Sequence, residues 1–262
     1  MSLTAKTKAS SYKDILIVPN SNSGIDATTR NITSGDGTIS AIGLSDDVLT
    51  VTPQTDDTTA VFKVTDKDSN ALLNVDSSND LVKAGIGQHI VNTQIKGFNI
   101  SSQNSQPSTT DTWSMMASIG SDRFGADLQF GTGSTPATTY TVATTAMDLV
   151  QAIWYLPFNI TIDSVNVWFG QDAATGEAVK FSVMSYDIVT APTSSGGDLS
   201  NGAEVCVSPS TVAGFGYEQA YMQNLTISTA DVDAGKVIMA GVSQASTNSD
   251  LTVNMQLVYH LR

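Results

Sequence analysis

Cysteine occurs once in this chain, at Cys206, which excludes an intramolecular disulfide framework. It lies in the strand-like run Ala203-Glu204-Val205-Cys206-Val207, where a buried thiol is expected as core filling. No partner base in sequence points to a nucleophile. Histidine occurs only at His89 and His260. Neither has a Cys nearby or a second His at helical spacing, so no zinc signature is read and both are expected at a surface or interface. Charge is scarce, at 14% of residues, and unbalanced: 12 Lys and Arg stand against 25 Asp and Glu, for a net charge of −13. Without a basic stripe, nucleic acid is excluded as a partner, and the acidic surface is expected to keep an assembly soluble. The opening residues contain no apolar h-region, so no signal peptide is expected and synthesis in a cytoplasm is. The longest apolar stretch, Ile153 to Phe158, is too short for a helix to span a bilayer, so membrane insertion is not expected.

What fills the space is Ser, Thr, Asn, Gly and Asp, residues of turns and pleated surfaces. The sequence predicts an all-β chain in four sections. Residues 1–45 form an extended polar arm, with Ile15-Leu16-Ile17-Val18 as its one apolar anchor, stopped by Pro19. Residues 46–95 repeat short strands and turns: Val48–Val51, Ala60–Val64, Ala71–Val75 and Asp80–Lys83, separated by Asp56-Asp57-Thr58, Asp66–Asn70 and Asp76–Asn79. The rhythm is about ten residues per strand and turn. Each strand offers only two or three apolar side chains, too few for a core in a single copy. Copies wrapped about a common axis and pooling these faces would supply one. The expected contact residues are Val61, Phe62, Val64, Leu72, Val75, Leu81 and Val82. Residues 96–135 read as a Ser/Thr/Gln-rich linker and transition, closed by Gly131 to Pro136.

Residues 136–262 read as an antiparallel β-sandwich, jelly-roll-like, with strands at Thr138–Val142, Leu149–Leu156, Ile160–Phe169, Val179–Val189, Ala203–Val207, Ala220–Ile227, Lys236–Ser243 and Leu251–His260. Alternation is clearest in Ile160 to Trp168 and in Leu251 to Tyr259, one face apolar and one wet. One short helix is expected at Thr229–Ala234, started by Ser228 to Asp231.

Three stretches carry a resemblance. Ser11-Tyr12-Lys13-Asp14-Ile15-Leu16, Asn20-Ser21-Asn22-Ser23-Gly24, and Gly35-Asp36-Gly37-Thr38 through Ser40-Ala41-Ile42-Gly43-Leu44-Ser45 resemble the opening of structural proteins of marine tailed bacteriophages. Val64-Thr65-Asp66, continued by Asn74-Val75-Asp76-Ser77-Ser78-Asn79 and Ala84-Gly85-Ile86-Gly87, is similar to the short V-x-D…V-D unit of trimeric phage fibre shafts. The resemblance covers roughly the first third of the chain; the sandwich fits by architecture alone. It implies a homotrimeric head or tail fibre of the virion, with an arm that binds another virion protein, a β shaft and a terminal knob. Tyr12, Ile15, Leu16 and Ile17 would make the virion attachment. The shaft unit appears only once or twice, which favours a short appendage. A head-decorating protein without a receptor role is the second reading.

No G-x-S-x-G elbow, phosphate loop or dinucleotide fingerprint is present, and no cofactor or metal is expected. Asp66-Lys67-Asp68-Ser69-Asn70 begins like a calcium loop, but Ala71 and Ser77 stand where Gly and Glu are needed, so a turn is expected. Paired carboxylates could cleave a host glycan, with Asp172, Glu177, Asp187, Glu204 and Glu218 as the pool. Nothing in sequence gathers two of them, so the chain is expected not to be an enzyme; a glycan-degrading appendage is the third reading. A host surface glycan or protein would meet the knob through aromatics. Phe215 and Tyr217, between Gly214 and Gly216, are the loop candidates. Trp154, Tyr155, Trp168, Phe169, Tyr186 and Tyr221 complete the pool, with at least one of Trp168 and Phe169 facing outward.

Overall fold

The computed structural model describes residues 15–21, 23–102, 112–119, 128–142, 146–171, 178–208, 219–244 and 251–262. The chain is all-β apart from one short helix among these residues. It divides into two units, Met1–Asn92 and Thr93–Arg262.

The first unit holds two four-stranded antiparallel meanders. One contains β1 (Leu16–Ile17), β2 (Arg30–Ser34), β3 (Ile39–Leu44) and β4 (Leu49–Val51); the other β5 (Phe62–Thr65), β6 (Ala71–Asp76), β7 (Leu81–Ala84) and β8 (His89–Ile90). Residues 16–44, expected as an extended arm, therefore form three paired strands. Aspartates pin the turns. Asp66 accepts bonds from the Asp68 and Asn70 backbone N–H groups, both at 2.9 Å, and from the Asn70 amide. This is an Asx-type turn, as the sequence predicts for that segment.

The second unit is an antiparallel β-sandwich. One sheet has the order β11 (Gln129–Thr132), β10 (Thr112–Met115), β18 (Lys236–Gln244), β14 (Val179–Ile188), β15 (Leu199–Val207), with β12 (Trp154–Tyr155) also on β18. The facing sheet has the order β16 (Gln219–Leu225), β13 (Ile160–Gln171), β19 (Leu251–Leu261), β9 (Gln94–Ser102), with β17 (Asp231–Val232) also on β13. Between them lies the main core, where Val165, Val167 and Phe169 of β13 and Val253, Met255 and Leu257 of β19 meet Phe181 and Val183 of β14 and Ile238, Ala240 and Val242 of β18. A second cluster covers the other face of the β18–β14 sheet. There Trp113, Phe130, Met184, Tyr186 and Met239 pack with Leu149 and Ala152 of α1 (Ala146–Ala152). Burial on both faces removes alternation from β14 and β18. The β13–β19 sheet, covered on one face, keeps it.

Four local expectations are corrected. Residues 96–135 are no linker: β10 and β11 lie in the sandwich, β9 supplies Phe98 and Ile100, and Trp113 is wholly buried. Leu149–Leu156 is not one strand. Ala146 to Ala152 is helical, because Ala, Met, Leu and Gln are strong helix formers and Leu149 and Ala152 share a buried face. Thr138–Val142 makes only a single bridge, Tyr140 to Leu199. The helix expected at Thr229–Ala234 is instead β17, since Thr161 and Ile160 pair with Asp231 and Val232.

Candidate interaction surfaces

In the first unit the β5–β8 sheet has two unlike faces. Register pairs Phe62 with Val75 and Val75 with Val82, and pairs Val64 with Leu73 and Leu73 with Ala84. Alternation along each strand puts these six on one side. Phe62, Val64 and Val82 remain 41%, 40% and 42% exposed. The opposite side carries Lys63, Asn74, Asp76 and Lys83. There the Asp76 carboxylate, 1% exposed, receives the Asn79 amide and the Lys83 ammonium, at 3.0 and 3.2 Å. The Asn79 amide, with Lys83 behind it, holds the Asp76 carboxyl below the usual range.

Of the seven contact residues expected from sequence, four therefore share one face: Phe62, Val64, Val75 and Val82. Leu72 is the extra residue of a bulge, its neighbours Ala71 and Leu73 pairing with Thr65 and Val64. Leu81 pairs with Asp76 on the other face, and Val61 precedes β5. Sequence reasoning missed Leu73 and Ala84. Among the expected attachment residues, Ile15 and Leu16 are exposed and Ile17 half-buried, and Tyr12 lies outside the described residues.

The first unit has no buried hydrophobic side chain among its described residues. Among the described residues every buried hydrophobic side chain lies at or beyond Phe98. Of the described residues between 15 and 92, only Gly43, Ser45 and Asp76 are buried.

In the second unit Phe169 points into the core and Trp168 points out, so the expected division of that pair holds in this order. The outward face of the β16-β13-β19-β9 sheet mixes uncharged polar side chains with exposed Trp168, Met222 and Ile95, and carries the Asp163–His260 pair at one end. Trp168 pairs with Met222 on one side and Asn254 on the other, and Asn166 pairs with Asn224 and Gln256. These neighbours are a feature that sequence reasoning missed; alternation in β13 and β19 was the signal for them. The loop candidates Phe215 and Tyr217 lie outside the described residues. Trp154 and Tyr221 pack against the main core, Tyr186 is buried, and Tyr155 is exposed. Trp154 meets the Tyr259 ring at a tilt of 57°, centroids 4.9 Å apart, with Lys96 over the indole at 5.9 Å.

The remaining chemical candidates are dispersed. Asp187 pairs with Lys236 and accepts from Asn201, and Glu204 accepts from Ser228 at 2.8 Å. Asp172, Glu177 and Glu218 lie outside the described residues. Cys206 is wholly buried, and burial pushes its thiol up to about 12. His89 is exposed at the start of β8. His260, expected at a surface or interface, is 8% exposed within the single chain, with Nδ1 at 3.0 Å from both Asp163 oxygens. Among the described residues no cluster of three or more His, Cys, Asp or Glu could hold a metal, and no helix is long and apolar enough to cross a membrane.

These features define an all-β protein whose second unit is an antiparallel sandwich. No family model and no curated protein matches the chain. Among solved structures it is similar to an α-amino acid ester hydrolase labelled with selenomethionine, at 9% identity and a TM-score of 0.27, over 47% of this chain and 27% of that one. Against the expectation that the chain is no enzyme stands the description of this neighbour as a hydrolase. A likeness this slight, spanning about a quarter of the hydrolase, assigns this chain neither an activity nor a catalytic residue.

Proposed function

We propose that this chain is a subunit of a homotrimeric fibre or short appendage of a phage particle. Its first unit assembles with copies of itself, and its second is a rigid sandwich displayed to the host surface. The observation that carries the reading is the coreless first unit. Two four-stranded meanders without one buried hydrophobic side chain fall short of what an isolated sheet needs for stability. The β5–β8 sheet nonetheless gathers Phe62, Val64, Leu73, Val75, Val82 and Ala84 on one side. Three such faces turned toward one axis would bury them together, with Lys63, Asn74 and Lys83 left outside. Burial returns roughly 25 cal/mol per Å² of apolar surface, and each additional copy adds surface from its own face. The number three, the virion and the attachment by Ile15, Leu16 and Ile17 come from the resemblance of residues 11–45 and 64–87 to fibre proteins.

The test is the mass of the intact chain by light scattering after gel filtration, expected at three times 27.5 kDa. The double substitution Phe62→Asp and Val82→Asp is expected to leave monomers. A stable monomer with a fully protected first unit overturns the proposal. Immunogold labelling of particles, positive at head or tail, tests the virion location.

A further inference from the structure

We infer that the outward face of the β16-β13-β19-β9 sheet is a binding platform for a neutral glycan. The inference deepens the proposed function by naming the displayed surface and its ligand class, and it rests on that reading only for its biological setting.

From register, Trp168 lies in a cross-strand row with Met222 and Asn254, and the next row holds Asn166, Asn224 and Gln256. Trp168 is 39% exposed and Met222 62%; Asn224 and Asn254 are exposed as well. The row on the other side of Trp168 runs Ala220, Gly170, Thr252. None of these positions carries a charge, in a chain whose net charge is −13.

The neutrality of these rows, set apart from the Asp163–His260 pair at the other end of the face, selects the partner. Nucleic acid would need cations to neutralise phosphate, and an anionic membrane surface would need basic side chains. A neutral polyhydroxy ligand needs neither. Each carboxamide carries both a donor and an acceptor, which matches hydroxyl groups that also do both. An indole offers a wide apolar surface at small conformational cost, suited to the C–H face of a sugar ring. The groups repeat about 4.8 Å across strands and about 6.7 Å along one strand, so a chain of sugars can meet several at once.

The platform is also organised in advance. The strands that present these side chains bury Val165, Val167, Phe169, Val253, Met255 and Leu257 on their other face. Binding would therefore not have to order the backbone, which removes one of the main penalties of association.

The experiment titrates the intact protein with dextran, mannan and laminarin oligosaccharides, and with alginate as an anionic comparison. Isothermal calorimetry and tryptophan fluorescence are the readouts. Trp113 is wholly buried, so a fluorescence change on binding reports chiefly on Trp168 and Trp154. Expected is binding of at least one neutral oligosaccharide in preference to alginate. Trp168→Ala should weaken it about tenfold or more, which corresponds to about 1.4 kcal/mol, while Trp168→Phe retains part of it. Circular dichroism checks that each variant is folded; should Trp168→Ala fail that check, Asn254→Ala carries the same expectation.

The inference is overturned by no binding of any neutral probe at millimolar concentration, by preference for alginate, or by unchanged affinity in both Trp168→Ala and Asn254→Ala. A change of oligomeric mass in Trp168→Ala would also overturn it, by making this face a contact between copies. Failure of the trimer reading looks different: a light-scattering monomer that still binds the glycan through Trp168.

Discussion

Single residues carry much of what can be tested directly. Cys206 was legible in sequence as core filling, and it is wholly buried with its thiol pushed up to about 12. Its thiolate is then scarce at pH 8 and its sulfur sheltered. A thiol reagent such as Ellman's is expected to leave the native protein unlabelled over hours and to label one thiol per chain in guanidinium. Rapid labelling of the native protein would contradict the burial. Gly202 shows a constraint that no pattern in the sequence reveals. A Cβ there would lie 2.5 Å from the Tyr186 ring and 2.7 Å from the Thr138 backbone. Gly202→Ala is therefore expected to destabilise by about 1–3 kcal/mol, the usual effect of overpacking, read from a shifted denaturation midpoint. Trp168 and Phe169 were separable only by knowing which parity faces the core, and the structure supplies that with Val165 and Val167 buried on the side of Phe169.

Strands and turns differ in how openly they declare themselves. β13 and β19 were readable because one face is wet and the other dry, so their side chains alternate. β10 was less plain: Trp113, Ser114 and Met115 are buried on both sides of the sheet, and so short a run without alternation fits a strand or one helical turn alike. α1 was read as part of a strand because its apolar residues run on into Trp154 and Leu156, and Leu149 and Ala152 packing beneath the second cluster decides the matter. In the first unit the elements are held by aspartates. Hydrogen bonds to their carboxylates hold Asp36, Asp66 and Asp76 below the ordinary carboxyl value. A group lowered in the folded state favours folding most when ionised. Its contribution is complete above the unfolded value of about 3.9 and is lost as pH falls through the lower folded value. The first unit is thus expected to lose strand structure below about pH 4, followed by circular dichroism. Asp76→Asn should flatten that acid limb; an unchanged limb would remove Asp76 as a cause.

Across the whole chain the two units are opposites in composition and in burial. The sandwich carries the entire set of buried hydrophobics among the described residues, and the first unit has none. Cooperative stability comes from burial against many neighbours, so the units are expected to respond differently to dilution. Limited proteolysis at low micromolar and at nanomolar chain concentration should cut residues 15–92 increasingly on dilution. Cutting within the sandwich should stay constant, since its core is internal. Equal, concentration-independent cutting in both units would count against assembly through the first.

Sequence alone determined the all-β class, the place of the large core near the C-terminal end, the turn at Asp66 and the shortage of apolar side chains before position 92. All of these follow from composition and from two-residue periodicity, which are local properties of the chain. Only the tertiary structure decided that residues 96–135 join the sandwich, that Thr229–Ala234 is drawn into a strand edge, and that Leu73 and Ala84 share a face with Phe62 while Leu81 does not. Those outcomes depend on which partner a segment meets and in what register. Strand pairing joins residues far apart in sequence, Ile160 to Val232 for one and Tyr259 to Gln94 for another, and no local pattern encodes such a meeting.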